Sequence, residues 1–199
     1  MKRLGILISG RGSNLMAISR AIDLKSLDAE IAVVISNRAD AKGLDFARER
    51  DLIAVTIPSK GLDREVYDRI VIDELLKHQV DLVILAGFMR LLSATFIRQF
   101  AGRILNIHPS LLPAFAGLDA QHQAFEHGVK IAGCTVHFVD EDLDSGPIIM
   151  QSAVPVLDTD TVESLSDRIL MEEHHTYPKA IGKVLEGRYT IAGRRVLFE

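Results

Sequence analysis

Asn106 and His108 flank Ile107 in Ile104-Leu105-Asn106-Ile107-His108-Pro109, a run otherwise written for burial. Residues two apart on a strand face the same side, so both side chains should enter one space. An amide placed there can donate to a developing oxyanion while an imidazole exchanges a proton. Either residue alone would read as a satisfied polar group holding the irregular segment that Ser110 and Pro113 announce. Ligands of open α/β sheets sit in the crevice beyond the carboxyl ends of the strands, which tilts the pair toward chemistry.

A carboxylate to serve that imidazole is sought in Asp140-Glu141-Asp142-Leu143-Asp144-Ser145-Gly146-Pro147, a polar loop between two apolar runs. Most acids in such loops are solvated turn formers. Asp144 adjoins Ser145-Gly146, where a bend could turn its side chain inward, and a carboxylate beside His108 would favour the imidazolium. A third group is Ser9-Gly10-Arg11-Gly12-Ser13-Asn14, which follows an apolar run and opens a helical-period segment. Amides at a helix start, with the helix dipole behind them, suit a phosphate. A tight turn with Ser13 or Asn14 as helix cap satisfies the same residues. The third glycine of a dinucleotide fingerprint is missing, and Ser36-Asn37 stands where a ribose-binding acid would be expected, which argues against a nicotinamide dehydrogenase. Glu173 continues the stripe Leu165, Ile169 at four-residue spacing, so a carboxylate falls where a hydrophobe belongs. A ligand hydroxyl or a neighbouring cation could partner it. The histidines show no metal-ligand spacing and the lone Cys134 cannot build a thiolate cluster, so no metal is expected.

The elements that must position these groups alternate. Short apolar runs at Leu4–Ile8, Ile31–Ile35, Ala54–Ile57, Leu82–Ala86 and Ile104–Ile107 read as strands, with helices over Asn14–Ile22, Ala41–Arg50 and Arg64–His78 between them. This predicts an α/β fold: an open, mostly parallel Rossmann-like sheet with helices on both faces. The C-terminal half changes character, with antiparallel strands expected at Thr135–Val139 and Ile148–Val154. Asp160 with Glu163 reads as a capping box before a helix carrying Val162, Leu165 and Ile169. Tyr189–Ile191 and Arg195–Phe198 could form a terminal hairpin about Ala192-Gly193. The 199 residues fit one domain, with residues 1–100 as the phosphate-binding half, 101–187 as the catalytic half and 188–199 as a hairpin or tail.

A net charge of -4 gives no general attraction for nucleic acid, which is not expected as a partner. One cysteine excludes an internal disulfide framework and fits a reducing compartment, with cytoplasm as the default. Leu4–Ile8 is too short for a signal peptide and no apolar run approaches a membrane span, so neither export nor membrane association is expected.

The blocks Gly12-Ser13-Asn14-Leu15, Ala86-Gly87-Phe88-Met89-Arg90, Asn106 through Pro113, Thr135-Val136-His137-Phe138-Val139 and Asp144-Ser145-Gly146-Pro147-Ile148-Ile149 together resemble the phosphoribosylglycinamide formyltransferase family. The likeness runs from the first strand to about Pro178. It implies an enzyme that moves the formyl group of 10-formyltetrahydrofolate to the amine of glycinamide ribonucleotide in purine synthesis, with both small molecules as its partners and no metal. By the same resemblance Asn106, His108 and Asp144 are the catalytic trio. Gly12, Ser13 and Asn14 hold the ribonucleotide phosphate and Glu173 its ribose. Arg64, Met89, Arg90, Leu91, Leu92, Asn106, Val139 and Asp140 contact the folate. Ala114 and Ala116 depart from relatives that carry a basic residue and a proline near those positions. The tail after Gly187 is given no role, and a monomer or a homodimer fits equally. Rival expectations are a formyltetrahydrofolate hydrolase, which would usually add an N-terminal regulatory domain, an enzyme formylating an amino sugar or initiator tRNA, which would add a C-terminal one, and a non-catalytic mononucleotide-binding module.

Overall fold

A computed structural model describes all 199 residues, which form two compact units, Met1–Asn106 and Ile107–Glu199. The first unit carries β1 (Lys2–Ile8), α1 (Ser13–Asp23), β2 (Ala29–Ser36), α2 (Lys42–Glu49), β3 (Ala54–Thr56), α3 (Arg64–Lys77), β4 (Leu82–Leu85), α4 (Ala94–Gln99) and the start of β5 (Ile104–His108). Its strands lie in the order β3-β2-β1-β4-β5 and the pairs within it are parallel. Leu4, Ile6, Leu7 and Ile8 of β1 are fully buried. Both faces of a parallel strand are covered, which is why these runs read as continuously apolar rather than alternating. The order reverses between β1 and β4, the switch point at which ligands of such sheets bind.

The second unit carries α5 (Ala120–Glu126), β6 (Ile131–Phe138), β7 (Ile148–Pro155), α6 (Val162–Leu185), β8 (Tyr189–Ala192) and β9 (Arg195–Phe198). Here β6 and β7 are antiparallel, as are β8 and β9, while β9 runs parallel to β7. The α/β class, with parallel strands first and antiparallel strands later, is as the sequence reads. Two short helices, α4 and α5, were not anticipated. The capping box before α6 is displaced by one residue from the Asp160/Glu163 pair. Thr161 is the cap and exchanges bonds with Ser164, while Asp160 accepts from Leu157 N–H at 2.7 Å and pairs with Arg168 at 2.7 Å. That pairing holds the Asp160 carboxyl well below the usual carboxylate range. No helix is long and apolar enough to cross a membrane.

Candidate active site

β5 delivers Asn106 and His108 two residues apart, Asn106 half-buried and His108 only 4% exposed. The chain beyond His108 is held from β6. The Thr135 hydroxyl donates to the Ser110 carbonyl at 2.7 Å and accepts from Leu112 N–H at 3.0 Å. Gln151 Nε2 donates to the Leu112 carbonyl and to Thr135 Oγ1, both at 2.9 Å. A segment with no regular structure is thereby fixed by side-chain bonds in place of a ladder.

His108 Nδ1 lies 3.3 Å from Asp144 Oδ2, and His108 Nε2 lies 2.8 Å from the Phe115 carbonyl oxygen. Both ring nitrogens therefore face acceptors, and only the imidazolium has two N–H donors to offer them. Asp144 also accepts from Gly117 N–H at 2.8 Å through Oδ2, and its side chain is 9% exposed. Its backbone is left-handed, φ 48°. The bend expected at Ser145-Gly146 is present and has a steric cause: a Cβ on Gly146 would sit 1.8 Å from the Phe138 carbonyl oxygen. Phe138 N–H donates to the Pro147 carbonyl at 3.0 Å and closes the loop beneath Asp144.

A second imidazole meets the same carboxylate. His137 on β6 is 2% exposed, donates from Nδ1 to the Phe138 carbonyl at 2.7 Å, and presents Nε2 to Asp144 Oδ1 at 3.7 Å. Burial lowers its pKa from the ordinary 6.5 of an imidazole, against the raising influence of the Phe138 carbonyl and Asp144, while His108 lowers it and Asp140 raises it. The unfolded chain then takes up this proton at a higher pH than the folded one does. Stability is consequently lost as pH falls from about 6.5 toward the depressed folded value. Urea midpoints measured from pH 7 to pH 5 should fall less steeply in His137→Gln than in the unaltered protein. Equal slopes would remove His137 as the cause.

In the first unit, Gly12 caps α1 in the left-handed conformation, φ 76°, and no side chain caps that helix. The helix-cap alternative for Ser13 or Asn14 is thus not what forms. A Cβ on Gly12 would meet the Gly43 backbone at 2.7 Å, so a side chain here is excluded twice over. The loop after β4 is tied to the one after β1: Ser9 N–H donates to the Gly87 carbonyl at 3.1 Å, and Met89 N–H to Ser9 Oγ at 2.8 Å. The expected phosphate loop and the stretch Met89–Leu92 are accordingly brought together at the switch point. Met89 and Leu91 are exposed, while Arg90 lies 4.4 Å over the ring of Tyr67 on α3, the helix that begins at Arg64. Arg90 Nε and the Tyr67 hydroxyl are buried without a hydrogen-bond partner, and burial pushes the Tyr67 phenol up to about 12.

Glu173 is buried on the inner face of α6 with Leu165, Ile169 and Tyr177, as its spacing predicts. Cys134 on β6 is buried and its thiol is pushed up to about 12 by burial and by the charge of Glu173, which suits a core residue rather than a nucleophile. Val139 and Asp140 follow β6 half-buried, where Asp140 Oδ1 accepts from Asp142 N–H at 3.3 Å. Three contributors were not singled out from the sequence: His137, the Phe115 carbonyl and the Gly117 amide. His137 shares a strand face with Thr135, the one signal that could have marked it. Backbone groups leave no such signal.

Residues 2–181 match the family described as Formyl transferase. The phosphoribosylglycinamide formyltransferase of Escherichia coli is 45% identical over 184 residues, which is 92% of this chain and 87% of that protein. The trifunctional purine biosynthetic protein adenosine-3 of Chironomus tentans is 46% identical over 94% of this chain, which spans only 14% of that protein's length. The crystal structure of glycinamide ribonucleotide transformylase 1 from Symbiobacterium toebii superimposes with a TM-score of 0.97 at 53% identity, covering 100% of this chain and 94% of that one. On the family match and on these relatives, the chain belongs to the formyl transferase family, beside its phosphoribosylglycinamide formyltransferases.

Proposed function

We propose that the chain transfers the formyl group of 10-formyltetrahydrofolate to the primary amine of glycinamide ribonucleotide in purine synthesis. The observation that carries this reading is the buried His108–Asp144 pair at 3.3 Å, with His108 Nε2 donating to a carbonyl oxygen at 2.8 Å. An imidazolium so held is a hydrogen-bond donor aimed at an oxygen acceptor, which is what a tetrahedral formyl intermediate requires.

The amine nitrogen attacks the formyl carbon and the carbonyl electron pair moves onto oxygen. Asn106 and His108 stabilise that oxyanion. The intermediate then breaks its bond to the folate nitrogen, which gains one proton as the amine loses one, carried by His108 or a water it positions. Asp144 keeps His108 charged and oriented. For Nε2 to reach the substrate oxygen, the Phe115 carbonyl has to yield its place. Phe115 sits at φ 54°, a left-handed conformation costing a non-glycine residue roughly 1–2 kcal/mol, so its release relieves strain. Gly12, Ser13 and Asn14 take the phosphate on the uncapped start of α1, and Glu173 takes the ribose hydroxyls. Arg64, Met89, Arg90, Leu91 and Leu92, with Val139 and Asp140, take the folate, for which the unpartnered Arg90 Nε and the exposed Met89 and Leu91 are suited. The proton and the charges in this scheme are met by His108, Asn106, Asp144, a positioned water and the backbone start of α1, so it calls for no metal. Cytoplasm suits both substrates.

Purified protein is incubated with 10-formyltetrahydrofolate, with and without glycinamide ribonucleotide, and release of tetrahydrofolate is followed. Release that depends on the amine is the expected result. Release without it would make the protein a hydrolase, and no release in either arm would leave only a nucleotide-binding module.

A further inference from the structure

The terminal hairpin, to which the sequence assigns no role, reaches the loop that carries Asp144. Its docking is aromatic: Tyr189 lies 5.7 Å from Phe138 and 6.0 Å from Phe198, and Lys183 Nζ sits 4.8 Å over the Phe198 ring. Phe138 is the neighbour of His137 and also the residue against which Gly146 packs. The register Ile148↔Arg195 between β7 and β9 then sets Arg194, the residue before β9, beside Ser145. Arg194 Nη1 donates to Ser145 Oγ at 3.1 Å and Nη2 donates to the Ser145 carbonyl. Arg194, Asp144, Gly146, Ile148, Leu112 and Pro113 line one cavity of about 310 Å³.

We propose that Arg194 is a positioning residue for formyl transfer, acting through Ser145 to set the backbone of Asp144 and hence the reach of its carboxylate to His108. Asp144 needs such a hold. Its left-handed φ of 48° is disfavoured for a residue with a side chain, and the preceding 141–143 are exposed, with a single weak bond from Asp142 N–H. On the other side the chain is fixed only from Gly146 onward. The guanidinium fork grips the intervening residue at two atoms, which removes the freedom of Ser145 to rotate Asp144 out. A lysine carries the same charge without the planar fork that meets two acceptors at once.

The inference rests on the proposed transfer reaction, and the unaltered protein tests that first: without amine-dependent release the reaction itself is wrong, whatever Arg194 does. With transfer established, kcat and KM are measured for Arg194→Ala, Arg194→Lys, Asp144→Asn and Arg194→Ala/Asp144→Asn. Arg194→Ala should lower kcat roughly 10- to 100-fold, the scale of a small misplacement of a catalytic group, with both KM values within about twofold. Arg194→Lys should regain part of that loss. In the double variant Arg194→Ala should add no further loss to Asp144→Asn, because the group it positions is already disabled. The proposal is overturned by unchanged kcat in Arg194→Ala, by a rise in KM at constant kcat, or by the same fold-loss in both backgrounds. Should Arg194→Ala loosen the hairpin, Arg194→Lys keeps the docking and carries the same comparison.

Discussion

Asp144→Asn is expected to lower kcat by about 10²–10⁴-fold while leaving the melting temperature unchanged or slightly raised. The substitution keeps the shape of the side chain, so the cost is electronic. An amide oxygen in place of Oδ2 can still accept from Gly117 N–H, which bonds Oδ2 at 2.8 Å in the unaltered protein, and can still face His108 Nδ1, which lies 3.3 Å from Oδ2 there. The amide nitrogen then replaces Oδ1, which faces His137 Nε2 at 3.7 Å. His137 already donates from Nδ1 to the Phe138 carbonyl, so its Nε2 is a lone pair and the new amide N–H meets a better partner than the carboxylate did. What changes is His108. Without the counter-charge an imidazolium at this buried position is disfavoured, and a neutral ring donates to the oxyanion more weakly than a charged one. Folded, purified Asp144→Asn with near-normal turnover would take this residue out of the mechanism.

How much of this was legible in the chain depends on the kind of signal. The buried parallel strands were found to within two residues at each end because their apolar runs have no competing reading. The helices α4 and α5, of 6 and 7 residues, were missed because one or two turns carry too little periodicity to register. Asn106 and His108 were legible because a strand has period two, and Glu173 because an acid interrupts a helical stripe. Asp144 could be picked from four neighbouring acids only by its adjacency to Ser145-Gly146. The physical reason for that bend, the close pass of Gly146 over the Phe138 carbonyl, needed coordinates. Contacts such as Gly117 with Asp144 and Arg194 with Ser145 join residues 27 and 49 positions apart, each with a backbone atom in at least one bond, and no sequence pattern advertises them.

His108→Ala should cost at least about 10³-fold in kcat, since one substitution removes both an oxyanion donor and the proton carrier. Unlike Asp144→Asn it should also cost stability, by ~1–3 kcal/mol. The imidazole is 4% exposed, and its loss strips the Asp144 carboxylate and the Phe115 carbonyl of a shared partner. A carboxylate left with one amide donor and 9% exposure is the more expensive orphan. The consequence separates catalysis from folding. In His108→Ala/Asp144→Asn the stranded charge is gone, so the double variant should melt at a higher temperature than His108→Ala. Its turnover should nonetheless be no better, because the group that acted on the substrate has not returned. Thermal denaturation and steady-state kinetics of the two single variants and the double variant read both halves. If the double variant melts no higher than His108→Ala, the carboxylate was never held in place by the imidazole, and the ion pair on which the mechanism turns is not what keeps Asp144 inward.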